Sequence, residues 1–347
     1  VYSVAKSMTI SKMPSKSTKK ACRICWWKPQ TFRGKYLVNS HRLCALVCWY
    51  LLILCGPLEA AEESPVNLAP NISAGKYLFQ AAGGCSCHTD TKNNSAFLAG
   101  GRPIETPFGT FYGTNITPDP ETGIGNWSDE DFIRAMTQGL SPEGKHYFPV
   151  FPYTSFQRIS RKDLLALKAY LFSLPPVRQK NLPHDLILPF GEQYAMMFWK
   201  NFVWSPEPFI SNPERTESWN RGEYLAQALA HCGECHTPRN LLGSLKPEMH
   251  FAGSKEGPEG ELAPNITPDK ETGIGSWNKV DISYFLQNGM KPDGDDVQGV
   301  MGEVIELGYQ HLLEEDLDAL AEYLLSLTPI SNELRSNSAE NSETGEY

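Results

Sequence analysis

NITPDPETGIGNW at residues 115–127 returns as NITPDKETGIGSW at residues 265–277, an offset of 150 with two differences. A match this long within 347 residues predicts that one domain has been duplicated. The flanking parts keep the same order. A short helical pattern precedes each block at some distance, AGKYLFQAA (74–82) and RGEYLAQALAH (221–231), and a longer one follows, ISRKDLLALKAYLFSLPP (159–176) and EEDLDALAEYLLSLTP (314–329). Leu164, Leu167, Tyr170, Leu171 and Leu174 fall on one face of the first, and Leu317, Leu320, Tyr323, Leu324 and Leu327 on the matching face of the second. Ser160 with Asp163 has the pattern of a helix N-cap, and Pro175 and Pro329 stop the two helices. Each unit is read as a helical shell around a long middle rich in Gly and Pro, which needs something apolar to pack on.

Between the first helix and the repeated block each half carries cysteines followed directly by histidine: GGCSCH (83–88) and CGECH (232–236), with the last Cys-His pairs offset by 148. C-x-x-C-H is the attachment pattern of a c-type haem, with two thiols for the thioether bonds and the histidine for the iron. Cys232, Cys235 and His236 fit it in full. Cys85 and Cys87 are one residue too close, yet His88, the Gly83-Gly84 pair that gives the backbone slack, and the whole repeat block are intact, so a second haem is expected there. The expected cofactors are two covalently bound haem c groups. A shared zinc site would have to draw its cysteines from two copies of a domain, each with its own histidine, and is set aside.

The far side of such an iron in an electron carrier takes Met or His. For the second site Met301, read as lying in a loop (DDVQGVMGEV), is preferred over Met290, which follows Gly289 at a helix end and aligns with Leu140. His/Met ligation gives a relatively high potential and a closed iron suited to electron transfer. In the first half the offset of 150 puts Phe151 opposite Met301. His146 is then the candidate sixth ligand, against a hydrogen-bonded histidine; Met196 and Met197 in the connecting segment and Met136 read as packing residues. The expected tether of His236 through its other ring nitrogen is a backbone carbonyl near Pro238.

The front of the chain is basic up to Arg42 and then apolar, LCALVCWYLLILC (43–55), before Gly56-Pro57 and small residues. This is the layout of a secretory signal, cleaved near Ala60 or Ala61, whose length places its start downstream of Val1, at Met8 or Met13. Thirteen apolar residues are short of the roughly 20 that cross a bilayer as a helix. Without residues 1–61 the chain keeps 21 of its 31 Lys and Arg and 39 of its 40 Asp and Glu, a formal charge of −18. That excludes nucleic acid as a partner and favours a docking surface rich in Lys or Arg. The expected organisation is a leader (1–61), a first domain (70–176), a strap rich in proline and aromatic residues (177–217), a second domain (218–330) and a disordered acidic tail (331–347).

Residues of about 70 to 330 resemble the multi-haem cytochrome c subunits that accompany membrane-associated alcohol, aldehyde and gluconate dehydrogenases, and related di-haem cytochromes c. The matching stretches are AGGRPIETPFGTFYGTNITPDPETGIGNWSDEDF (99–132), FPYTSF (151–156), LKAYLFSLPPV (167–177) and CGECHTPRN (232–240). The resemblance implies a mainly α protein of two tandem class I cytochrome c domains. It implies electrons taken from a dehydrogenase partner and passed toward a quinone, an oxidase or another cytochrome. Three departures limit it: many members have a third haem domain, many have Met at the position of Phe151, and most space the first cysteines as C-x-x-C-H. The expectation is an exported, periplasmic di-haem electron carrier, with any hold on the membrane made through its partners. The alternative is a haem enzyme whose first site, lacking Met, acts on peroxide or a sulfur oxyanion.

Overall fold

The computed structural model describes residues 71–188 and 191–334; the predicted leader, Phe190 of the strap and the tail from 335 onward lie outside them. The chain order is helix α1 (Ile72–Ala81), a tight turn at Gly83–His88, strands β1 (Pro103–Thr106) and β2 (Gly109–Tyr112), and helices α2 (Asp129–Gln138), α3 (Tyr153–Phe156) and α4 (Arg161–Phe172). Strand β3 (Asp185–Leu186) and helix α5 (Gln193–Phe202) form the connecting segment. Helices α6 (Glu217–Tyr224), α7 (Gly233–His236), α8 (Lys279–Asn288), α9 (Gly299–Leu307) and α10 (Glu314–Leu325) complete the second half. Among the described residues no helix is long and apolar enough to cross a membrane.

Local chemistry sets the helix ends. Ser128 and Asp131 form a reciprocal capping box on α2, as do Asn278 and Asp281 on α8. Gly139 and Gly289, both left-handed at φ 60° and 76°, end these helices. Ser160 accepts from the Asp163 backbone N–H at 3.1 Å, the cap that its sequence suggests.

The helices then cross at glycine. A Cβ on Gly75 of α1 would stand 1.9 Å from the Ala166 carbonyl oxygen of α4, and one on Gly222 of α6 would stand 2.0 Å from the Ala319 oxygen of α10. Only a bare Cα permits that approach. Leu164, Leu167 and Leu171 are buried on α4, and Leu317, Leu320, Tyr323 and Leu324 on α10, as their spacing requires.

The repeated block is a locked loop. Asn115, 2% exposed, sends its amide to the Val177 oxygen at 2.7 Å and takes the Thr117 backbone N–H at 3.0 Å. Asn265, 3% exposed, binds the Ile330 oxygen at 2.7 Å and the Thr267 N–H at 2.9 Å. Asp119 and Asp269 each accept from the following threonine, N–H and hydroxyl. The block therefore ties the middle of each half to the chain just beyond α4 or α10.

Three expectations are corrected. The middle of the first half is not bare loop: β1 and β2 pair as a hairpin, and β3 of the connecting segment adds to β2. Gly109 makes this possible, since a Cβ there would meet the Asp185 oxygen at 2.3 Å. Met301 lies on helix α9, not in a loop. The segment beyond 330 begins ordered, with the Asn332 amide on the Ala252 oxygen at 2.9 Å.

Candidate functional site

Three successive residues of GGCSCH take left-handed backbone, Gly83, Gly84 and Cys85 at φ 74°, 69° and 52°. Glycine adopts it freely; cysteine does so under strain. Of the two spacer residues in C-x-x-C only one, Ser86, is present here. Cys85 is half-buried and Cys87 exposed, and neither is in a disulfide. Burial, with Cys87 close by, pushes the Cys85 thiol up to about 12. In the second half Cys232 is the N-cap of α7 and Cys235 lies within it, both free and half-buried, and burial pushes each up to about 12. The charge of Cys87 works in the same direction on Cys235.

The two histidines are held alike. His88 Nδ1 lies 2.7 Å from the Thr114 oxygen and His236 Nδ1 lies 2.7 Å from the Pro264 oxygen. A carbonyl can only accept, so Nδ1 carries the proton and each Nε2 presents a lone pair. That is the arrangement by which a ligating histidine is oriented. The carbonyls belong to the residues immediately before Asn115 and Asn265, so the locked loop aims them. The carbonyl expected near Pro238 is thus supplied by Pro264 instead, 28 residues from His236 in sequence. Burial lowers the pKa of both rings, with the carbonyl bond working against it.

A cavity of about 1530 Å³ opens beside the first turn, lined among others by Cys85, Cys87, His88, Met136, Phe151 and Met196. Ligand pockets commonly measure about 300–1,000 Å³, so the space accommodates a macrocycle. His231 Nδ1 on its wall is buried and unbonded, as are Tyr153 Oη and Trp204 Nε1, each next in sequence to a lining residue, Pro152 or Val203. An apolar cavity beside two thiols, a bare imidazole nitrogen and orphan donors fits a haem, whose faces are apolar and whose edge carries carboxylates. Met301 is half-buried and packs on the apolar core that Cys232 and Trp277 also border. Met290 is 44% exposed.

His146 does not line the cavity. Its backbone N–H donates to Gln193 Oε1 at 2.7 Å, and its buried Nδ1 has no partner. Met197 of α5 does line it, with Met196.

Side chains that sequence reading missed join the halves at these sites. Glu234, between the cysteines of the second motif, is 8% exposed and accepts from Thr154 and Ser155 of α3, each at 2.7 Å, and from Arg239 at 2.6 Å. Burial works against its charge, but Arg239 and the two hydroxyls outweigh it and hold the carboxyl below its ordinary pKa. Arg102, 8% exposed, reaches Glu259 at 2.6 Å and Glu303 of α9 at 2.5 Å. An acidic residue inside the motif was the only hint of the first contact; nothing in the sequence paired the second.

A helix-rich shell with a small sheet, two cysteine-histidine turns and two histidines tethered by carbonyls is compatible with a cytochrome c fold. No family model matches the chain. It is 39% identical over 277 residues to a diheme cytochrome c-type protein of Cereibacter sphaeroides, covering 79% of this chain and 91% of the relative. It is 36% identical over 283 residues to the fructose dehydrogenase cytochrome subunit of Gluconobacter japonicus, and 36% over 265 residues to the gluconate 2-dehydrogenase cytochrome c subunit of Pantoea cypripedii. Those two matches cover 80% and 74% of this chain but 57% and 59% of the relatives. The chain belongs to the diheme c-type cytochromes.

Proposed function

We propose that the chain is an exported di-haem electron carrier that takes electrons from a periplasmic dehydrogenase and delivers them toward the respiratory chain. The carrying observation is the matched pair of 2.7 Å bonds from His88 and His236 to loop carbonyls. In this reading residues 70–176 and 218–330 are duplicated class I cytochrome c domains joined by the 177–217 strap. Cys85, Cys87 and His88 hold one haem, with Met196 or Met197 of the cavity wall as its sixth ligand; Cys232, Cys235, His236 and Met301 hold the other. When bound, each haem supplies a one-electron iron couple.

The chain's own residues do the rest. Thr114 and Pro264 fix the tautomer of the proximal rings. Phe151, Phe156 and Ile159 line the first cavity and keep water out. The excess of Asp and Glu steers the protein to a basic partner surface. The dehydrogenase partner is supported by the names of the relatives, which are cytochrome subunits of such enzymes.

Low-temperature EPR and haem analysis of air-oxidised holoprotein, made in a host with a haem-attachment system, test this. Two haems per chain with two low-spin signals are expected. One haem per chain would remove the first site from the reading. A high-spin signal would replace the carrier with a haem enzyme open to a small molecule.

A further inference from the structure

Helix α9 is weak by its own sequence. It has nine residues, Gly at 299 and 302, and no side-chain cap at Gln298, so propensity and length leave it marginal in isolation. Its most extensive contacts beyond its own half are with the Gly83–His88 turn of the first. A Cβ on Gly83 would stand 3.2 Å from Val304 Cγ1. One on Gly84 would stand 2.7 Å from Leu307 Cβ and 2.8 Å from its oxygen. Gly308, just past the helix, comes as close in return: a Cβ there would be 2.7 Å from Gly83 Cα. From a second direction Arg102 grips Glu303 through both terminal guanidinium nitrogens, at 2.5 and 3.3 Å, while its other bonds anchor it to Glu259 at 2.6 and 3.0 Å.

Met301 lies two residues from Glu303 and three from Val304 on this helix, and one helical turn spans residues three and four apart. We infer that the first half positions the distal ligand of the second site. Arg102 and the Gly83-Gly84 seat determine how firmly Met301 is held. They are positioning residues that act through the helix. This rests on the reading of Met301 as the second site's ligand. It gives the left-handed turn a second task, since Gly83 and Gly84 leave room for Val304 and Leu307 of α9.

The test uses the full-length holoprotein and its Arg102→Gln and Gly84→Ala variants, titrated with imidazole, which competes with the thioether for ferric iron. The readout is the far-red charge-transfer band of methionine-ligated ferric haem. Losing a hydrogen bond between charged groups is enough for a tenfold change in an equilibrium, about 1.4 kcal/mol. Arg102→Gln is therefore expected to raise the apparent imidazole affinity at the second site about tenfold, with two haems retained and the first site's EPR signal unchanged. Arg102→Lys, which keeps the charge but loses the fork, falls between. Gly84→Ala shifts the band in the same direction; should that variant not accumulate, the Arg102 pair decides alone. Wild-type affinity in Arg102→Gln, or a change confined to the first site's signal, overturns the inference. Met301→Leu separates the two failures: a band that survives it refutes Met301 as ligand, not the coupling between halves.

Discussion

The Tyr77 hydroxyl donates to Asp316 Oδ2 at 2.6 Å across 239 residues of sequence, and the exchange of halves reproduces the contact. Tyr224 donates to Asp163 at 2.7 Å. Each phenol oxygen also accepts a backbone N–H from the residue three before its aspartate, Leu313 for Tyr77 at 3.2 Å and Ser160 for Tyr224 at 3.0 Å. Residue i on residue j and j on i is the pattern of a self-complementary interface. Tyr77→Phe leaves a backbone N–H without its acceptor and a carboxylate without one donor, so a loss of about 1.5–3 kcal/mol is expected. Tyr224→Phe should lose a similar amount, and the double variant should depart from the sum, because Arg221 binds Asp316 and lies over the Tyr224 ring. Denaturant unfolding of the holoprotein measures all three.

Acid should loosen the same joint. Burial raises the Asp316 pKa, but hydrogen bonds from Arg221 and Tyr77 outweigh it and leave the group below its ordinary value. A carboxyl whose pKa is lower folded than unfolded stabilises fully above the unfolded value, about 3.9, and loses that contribution as pH falls through the folded one. The melting temperature is expected to drop as pH falls below about 4. Asp316→Asn should be less stable at neutral pH and show a shallower acid slope. A slope equal to wild type would show that Asp316 does not carry it.

Gly113 tests the carbonyl tether. A Cβ there would stand 1.9 Å from the Cys87 oxygen, so Gly113→Ala pushes the Thr114 segment away from His88. The haem-to-protein ratio should fall toward one per chain, with the second site's spectrum intact.

His146→Ala is expected to leave the first site's EPR signal unchanged, because His146 does not line the cavity that holds Cys85 and His88. A shift to high spin would instead make it the sixth ligand.

The parts legible in the sequence were those carried by local pattern. The α4 and α10 faces follow from leucine spacing, and the Ser160 cap from its hydroxyl three residues before the backbone N–H it accepts. The repeat announced a matched loop, but its purpose depends on where Asn115 and Asn265 send their amides, and those partners lie 62 and 65 residues away. Pro238 is two residues from its histidine in sequence, so proximity favoured it over Pro264; the fold brings the distant carbonyl to Nδ1. Met301 read as loop because its glycines disfavour helix, and the contacts that overcome this come from the other half. The hairpin was hidden because its third strand is supplied by the strap.

Spacing alone would score this chain as having a single attachment motif. What survives the missing residue in GGCSCH is the acceptor behind the ring: a carbonyl, anchored by a buried asparagine, waiting for Nδ1. In chains where insertions or deletions have blurred the cysteines, that acceptor is the more durable mark of the site, and an Asn-Ile-Thr-Pro-Asp stretch downstream of a lone Cys-His is where to look for it.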